Sequence, residues 1–194
     1  DAAPNSGSEG AANGSEVSIT ASSLDLAGGT VHYLLEDDAD GRFEIGEFSG
    51  VIRVKNGNRL DHDTEPSLSV IVIATDASNL PSARKAFSIS VKNEAPSQPV
   101  DTDDTPNSVA ENAETGTAVL GIRVSSTDPS AGPVTYSLAD NAGGRFQIDA
   151  NGVVRVANGS LLDREAAPSH DIVVVAKDAS ELPSQPMPFT ITVN

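Results

Sequence analysis

The sequence predicts an all-β protein built as two tandem β-sandwiches of about seven strands each. Two observations carry this. The chain repeats itself at a spacing of about a hundred residues, and within each copy the apolar residues alternate with the period of strands.

The repeat is read by aligning the chain with itself. Asp61 in the run Arg59-Leu-Asp-His-Asp-Thr-Glu-Pro-Ser67 matches Asp163 in Leu161-Leu-Asp-Arg-Glu-Ala-Ala-Pro-Ser169, 102 residues later. The same offset pairs Asp76-Ala-Ser with Asp178-Ala-Ser, Leu80-Pro-Ser with Leu182-Pro-Ser, Phe87 with Phe189, and Pro4-Asn-Ser with Pro106-Asn-Ser. Tyr33 and Gly41-Arg-Phe pair with Tyr136 and Gly144-Arg-Phe at an offset of 103, and one extra residue near Gly46–Ser49 accounts for the difference. Acidic low-complexity chain does not hold such a register, so the repeat excludes disorder.

The strands follow in order. Ser108–Ala110 and Leu120–Ser125 open the second copy. Val134-Thr-Tyr-Ser-Leu138 alternates apolar and polar, as Val31–Leu35 does more loosely. Phe146-Gln-Ile148 and Val153-Val-Arg-Val156 are short β runs divided by Asn151-Gly152, a hairpin signal. Asp171–Ala176 holds a β-branched run suited to a buried strand, and Phe189–Val193 closes the copy with clean alternation. No stretch sustains a 3.6-residue period. An immunoglobulin domain would place Cys and Trp in its core. This chain has neither, so Val, Ile, Leu and Phe must fill it. Domain boundaries are expected at residues 1–92 and 106–194. The joining segment 93–105 is polar and Pro-bearing, hence extended and moderately stiff.

Charge narrows the function. The 194 residues hold 28 acids against 12 bases, a formal charge of −16. That balance excludes nucleic acid, whose phosphates need Lys and Arg, and an anionic membrane surface. No apolar run approaches the roughly 20 residues of a membrane span. Without cysteine there is no disulfide, thiolate metal site or Cys nucleophile. The chain has no initiator Met and no signal peptide, and reads as a piece of something longer.

Acids cluster at recurring places: Ala110-Glu-Asn112, Leu162-Asp-Arg-Glu165, Ala176-Lys-Asp178 and Asp128. In extended chain, residues two apart share a side, so Asp163 and Glu165 project together with Arg164 opposite. Paired carboxylates without a counter-charge repel, and a hard divalent cation reverses that cost. Ca²⁺ takes six to eight oxygens from carboxylates, amides and carbonyls. His32, His62 and His170 form no zinc spacing, and no Gly-x-Ser-x-Gly elbow is present. Carboxylates that recur in both copies suit a structural ion better than one catalytic cleft, so no enzyme activity is expected. Asn13-Gly-Ser15 and Asn158-Gly-Ser160 read as turns rather than glycosylation sites, Asn-Gly being the preferred type I′ pair.

These motifs carry a resemblance. Val109-Ala-Glu-Asn, Ser126-Thr-Asp, Val134-Thr-Tyr-Ser-Leu, Gly144-Arg-Phe, Ile148-Asp, Gly152-Val-Val, Leu162-Asp-Arg-Glu and Ala176-Lys-Asp together resemble a cadherin repeat, of the kind found in tandem in large bacterial surface and secreted proteins. Residues 4–91 are similar but weaker, with Glu9-Gly10 and Leu60-Asp-His-Asp63 at the matching places. The resemblance implies two tandem seven-stranded Greek-key β-sandwiches of immunoglobulin-like architecture, with Ca²⁺ between successive repeats. The junction would use Glu9, Asp61 and Asp63 from the first copy, Asn93 and Glu94 from the linker, and Asp128 and Asp178 from the second. Glu111, Asp163 and Glu165 would await a further repeat, and Asp25 and Asp76 would face an upstream one. The linker Lys92-Asn-Glu-Ala-Pro96 is shorter than the family's, and Ser130 replaces the second Asp of Asp-x-Asp.

The function so implied is an extracellular or cell-surface structural module, stiffened by calcium and serving adhesion between cells or to matrix. Its expected partners are Ca²⁺ and neighbouring repeats. The alternative is a Ca²⁺-dependent module for cell-surface or matrix polysaccharide. The lack of Trp, and the placing of Tyr33 and Tyr136 in alternating strands, count against that alternative. Adhesion by exchange of a first strand would want an anchoring Trp near the start, and there is none.

Overall fold

A computed structural model describes residues 5–26 and 28–194. Pro4, where the first copy begins, lies outside the described residues. The chain divides into two compact units between Glu94 and Ala95.

In the first unit, strands β1 (Ser6–Ser8), β7 (Lys85–Lys92), β6 (Ser67–Thr75) and β3 (His32–Asp37) form one sheet in that order. Strands β2 (Glu16–Thr20), β5 (Val51–Val54) and β4 (Phe43–Ile45) form the other. β1 runs parallel to β7, with Ser6 opposite Ser90, and the remaining pairs are antiparallel. Alternation sorts the faces. Val17 and Ile19 of β2, Ile52 and Val54 of β5, Val70 and Val72 of β6, and Ile89 and Val91 of β7 meet in one core with Phe43 and Leu60. The sandwich follows from this: each sheet has one apolar face, and the two faces cover each other.

The second unit repeats the plan. Strand β9 (Ser108–Val109) pairs parallel with β15 (Met187–Val193) and also reaches β10 (Ala118–Ser125), so it bridges the two sheets. β15 continues to β14 (Ser169–Lys177) and β11 (Thr135–Asp140). β10 continues to β13 (Val153–Val156) and β12 (Phe146–Ile148). Phe146, Leu162, Ile172, Val174 and Ile191 stand where the first core has Phe43, Leu60, Val70, Val72 and Ile89. Among the described residues the only helical pieces are 3₁₀ turns at Gly57–Arg59 and Gly159–Leu161, and no helix is long and apolar enough to cross a membrane.

Three features differ from the sequence expectation. Val100–Asp101, inside the expected linker, forms an eighth strand, β8, against β10, where the Asp101 carboxylate accepts the Arg123 N–H at 3.1 Å and Thr102 N–H bonds to the Arg123 carbonyl at 2.9 Å. Asn158-Gly159 opens a 3₁₀ turn, not a type I′ turn. The glycine is required there for space, since a Cβ would lie 1.8 Å from the Ala113 carbonyl oxygen. The extra residue near Gly46–Ser49 puts Phe48 on the surface, its ring 4.8 Å from that of His32. Tyr33 and Tyr136 are partly buried against their cores, and their hydroxyls accept the backbone N–H of Ser23 and Ser126.

Candidate metal centre

At one end of each unit the same construction appears. In the second, Glu111 N–H bonds to the Asn194 carbonyl and Asn112 N–H to the Leu162 carbonyl. In the first, Glu9 N–H bonds to Lys92 and Gly10 N–H to Leu60. The residue after the glutamate is left-handed in both, Asn112 at φ 54° and Gly10 at φ 60°. Asn and Gly are the residues that tolerate this region best, which explains the Glu-Asn and Glu-Gly pairs. The carboxylates then close onto the second acidic motif. Glu9 accepts the His62 N–H at 2.9 Å, and Glu111 accepts the Arg164 N–H at 3.4 Å. Glu9 also accepts the Glu94 N–H at 2.9 Å.

The second motif is anchored by a leucine. Leu60 and Leu162 are fully buried, and the chain turns immediately after each. Asp61 accepts the N–H of Thr64 at 3.2 Å, and Asp163 that of Ala166 at 3.0 Å. Asp163 and Glu165 therefore converge in a turn, not along an extended strand. Glu111, Asp163 and Glu165 each offer a carboxylate oxygen within 4.8 Å of the others, and all three are exposed. In the first unit Asp61 and Asp63 are half-buried. His62, between them, bonds its Nδ1 to the Val91 carbonyl at 2.6 Å. Asn93 has a buried side-chain oxygen without a hydrogen-bond partner, and Glu94 is exposed.

The opposite end of the second unit holds Asp128 and Asp178. Asp128 follows β10, and its Oδ1 accepts the N–H of Ser130 at 2.9 Å and of Gly132 at 3.4 Å, as well as the Ser130 hydroxyl. Ser130 thus holds Asp128 in place. Asp178 follows β14, and its Oδ1 accepts the Leu182 N–H at 2.8 Å. Both residues are buried, each has an Oδ2 without a hydrogen-bond partner, and carboxylate oxygens of the two lie within 4.8 Å of one another. Two buried like charges at that separation repel, and burial removes the water that would screen them. The first unit repeats the arrangement in outline. Asp25 accepts the Gly29 N–H at 2.8 Å, and Asp76 accepts those of Ser78 and Leu80 at 2.8 and 2.9 Å.

The donor set is oxygen throughout, from carboxylates and one amide. That suits a hard cation of the calcium type and does not suit zinc. Sequence reasoning found the acids but missed the supports: the buried leucine before each motif, the glutamate-to-backbone clasp, and Ser130. The Leu-Asp pairing, present in both copies, was the available signal.

The chain is similar to known cadherins. The family model described as Cadherin domain matches residues 105–194. Over 165 residues the chain is 32% identical to Cadherin EGF LAG seven-pass G-type receptor 1 of Mus musculus, covering 83% of this chain and 5% of that protein. Over 161 residues it is 30% identical to Cadherin-related family member 1 of Gallus gallus, covering 82% of this chain and 18% of that one. The crystal structure of human Protocadherin-24 EC1-2 aligns over 98% of this chain and 94% of that one, with 18% identity and a TM-score of 0.49. The second repeat is a cadherin domain, and the resemblance carried by its motifs is borne out. The chain spans a small part of these curated relatives. Both are animal proteins, and they do not confirm the bacterial setting of that resemblance.

Proposed function

We propose that this chain is a calcium-binding extracellular module, part of a longer surface protein, in which Ca²⁺ stiffens tandem repeats for contact between cells or with matrix. The observation that carries the reading is the pair Asp128 and Asp178, buried within 4.8 Å of each other with an unpartnered oxygen on each. In this reading Glu9, Asp61, Asp63, Asn93 and Glu94 share an ion with them, and Glu111, Asp163 and Glu165 hold one with a following repeat. A bound ion supplies positive charge and fixes several carboxylates in one geometry. Without it, they repel and the junction moves freely. Extracellular calcium modules bind at roughly 10⁻⁴–10⁻³ M. Free Ca²⁺ at ten times Kd then adds about 1.4 kcal/mol to the ion-bound form. The role is structural rather than catalytic. Small-angle scattering in millimolar Ca²⁺ and in chelator tests it. The maximum dimension should grow and sharpen with calcium, and identical curves would refute the stiffening role.

A further inference from the structure

We propose that His170 makes the second repeat acid-sensitive: protonation of its ring loosens β14, while the first repeat, with leucine at the matching position, is spared.

The repeat itself supplies the comparison. His170 lies 102 residues after Leu68, and both are the second residue of the long strand that follows the Leu-Asp motif. Leu68 is 8% exposed and belongs to the first core. In β14 the same alternation sends Ile172, Val174 and Ala176 inward, and His170 is in phase with them. Its ring lies 6.3 Å from that of Phe146, a fully buried core residue of β12. Its Nε2 is buried and has no hydrogen-bond partner. An imidazolium has two N–H donors, so charging this ring places a donor where nothing accepts it.

The charged neighbours do not correct this. From the loop before β12, Arg145 acts on the ring with like charge. Its guanidinium is tied to the carbonyls of Leu161 and Ala142 at 3.0 and 2.7 Å. On β14 itself Asp171 favours the charged ring, but its carboxylate already accepts the Thr190 hydroxyl at 2.6 Å. From β15 the residue opposite His170 is Ile191, which is apolar and buried. Desolvation comes first among the causes that lower the His170 pKa, followed by Arg145, with Asp171 opposing.

The sign follows from linkage. A histidine whose folded pKa is lowered is bound to fewer protons folded than unfolded. Stability is therefore complete above the unfolded value and falls as pH drops below it. From neutral pH to about pH 5 the opening equilibrium of β14 shifts toward the open form by at most about twenty-five-fold, the limit for a ring that never protonates while folded.

The test is amide hydrogen exchange on the full chain at fixed Ca²⁺, at neutral pH and at about pH 5. Peptides spanning 67–75 serve as the internal reference for those spanning 169–177. In the wild type, protection of 169–177 relative to 67–75 should fall several-fold on acidification. In His170→Leu it should not change. A wild-type ratio independent of pH, or a fall that persists in His170→Leu, would overturn the proposal. Proton NMR titration of the His170 ring in the wild-type protein gives a second reading that needs no variant. A folded pKa at or above the unfolded histidine value would also overturn it.

Discussion

Replacing Gly159 by alanine should unfold the second repeat at markedly lower temperature, and should do so by collision rather than by backbone strain. Gly159 has no left-handed φ, so alanine meets no conformational objection. Its Cβ would, however, sit 1.8 Å from the Ala113 carbonyl oxygen and 2.9 Å from the carbonyl carbon. Ordinary contact begins at 3.4 Å, so the two chain segments must part by about 1.6 Å. The obstacle is backbone, held by the bond from Ala113 N–H to the Ala110 carbonyl, and cannot rotate away. Overpacking costs about 1–3 kcal/mol, and a collision with fixed backbone belongs at the upper end. At about 4–8 °C per kcal/mol for a domain of this size, Tm of the second repeat falls by roughly 10–20 °C. Circular dichroism melts of Gly159→Ala and Gly57→Ala measure this, the latter glycine having the same relation to Ala11 at 1.6 Å. Gly144→Ala is the control. That residue is at φ +86° with open space around it, and should lose only about 1–2 kcal/mol from strain. If Gly159→Ala melts with the wild type, or no lower than Gly144→Ala, the close approach is not what fixes this turn.

Two further outcomes follow from backbone and charge. Ser18 is exposed and left-handed at φ 61° within the bulge of β2, while the corresponding bulge of β10 uses Gly121 at φ 77°. Relief of about 1–2 kcal/mol of strain exceeds the roughly 0.5–1 kcal/mol of added chain entropy, so Ser18→Gly should raise Tm of the first repeat by a few degrees, and a lower Tm would contradict the assignment. For Asp149, desolvation raises the pKa, but the Val153 and Asn151 N–H groups and Arg155 outweigh it and hold the carboxyl below its ordinary value. Its contribution is therefore present above the unfolded value and lost as pH falls through the lower folded one, so urea midpoints of Asp149→Asn should approach those of the wild type only in strong acid. An undiminished difference there would refute it.

The architecture was legible because it was written twice. Val134–Leu138 and Phe189–Val193 alternate strictly, and Phe43 and Phe146 occupy one place in two cores. Strand β8 was not legible, since Val100-Asp101 sits among linker-like residues and its pairing with β10 rests on long-range bonds such as that from the Arg123 N–H to Asp101 and from Thr102 to the Arg123 carbonyl. The acids were legible as a set, but not their supports. Nothing in the spacing tells that Ser130 turns its hydroxyl toward Asp128, or that Glu9 and Glu111 reach the backbone beside the second motif. Those contacts depend on turns that close three or more residues away. Gly159 was misread for a related reason. Asn-Gly usually signals positive φ, whereas this glycine answers to a neighbouring carbonyl 46 residues earlier in the chain.

The claim that these carboxylates hold calcium is tested most directly by calorimetric titration of Ca²⁺ into the chain and into Asp61→Ala, Asp163→Ala and the double variant Asp128→Asn/Asp178→Asn. Saturable binding in the wild type is predicted in the range of about 10⁻⁴–10⁻³ M. It should be lost in Asp61→Ala and in the double variant, and little changed in Asp163→Ala. An absence of saturable heat in the wild type, or equal binding in the double variant, would contradict it.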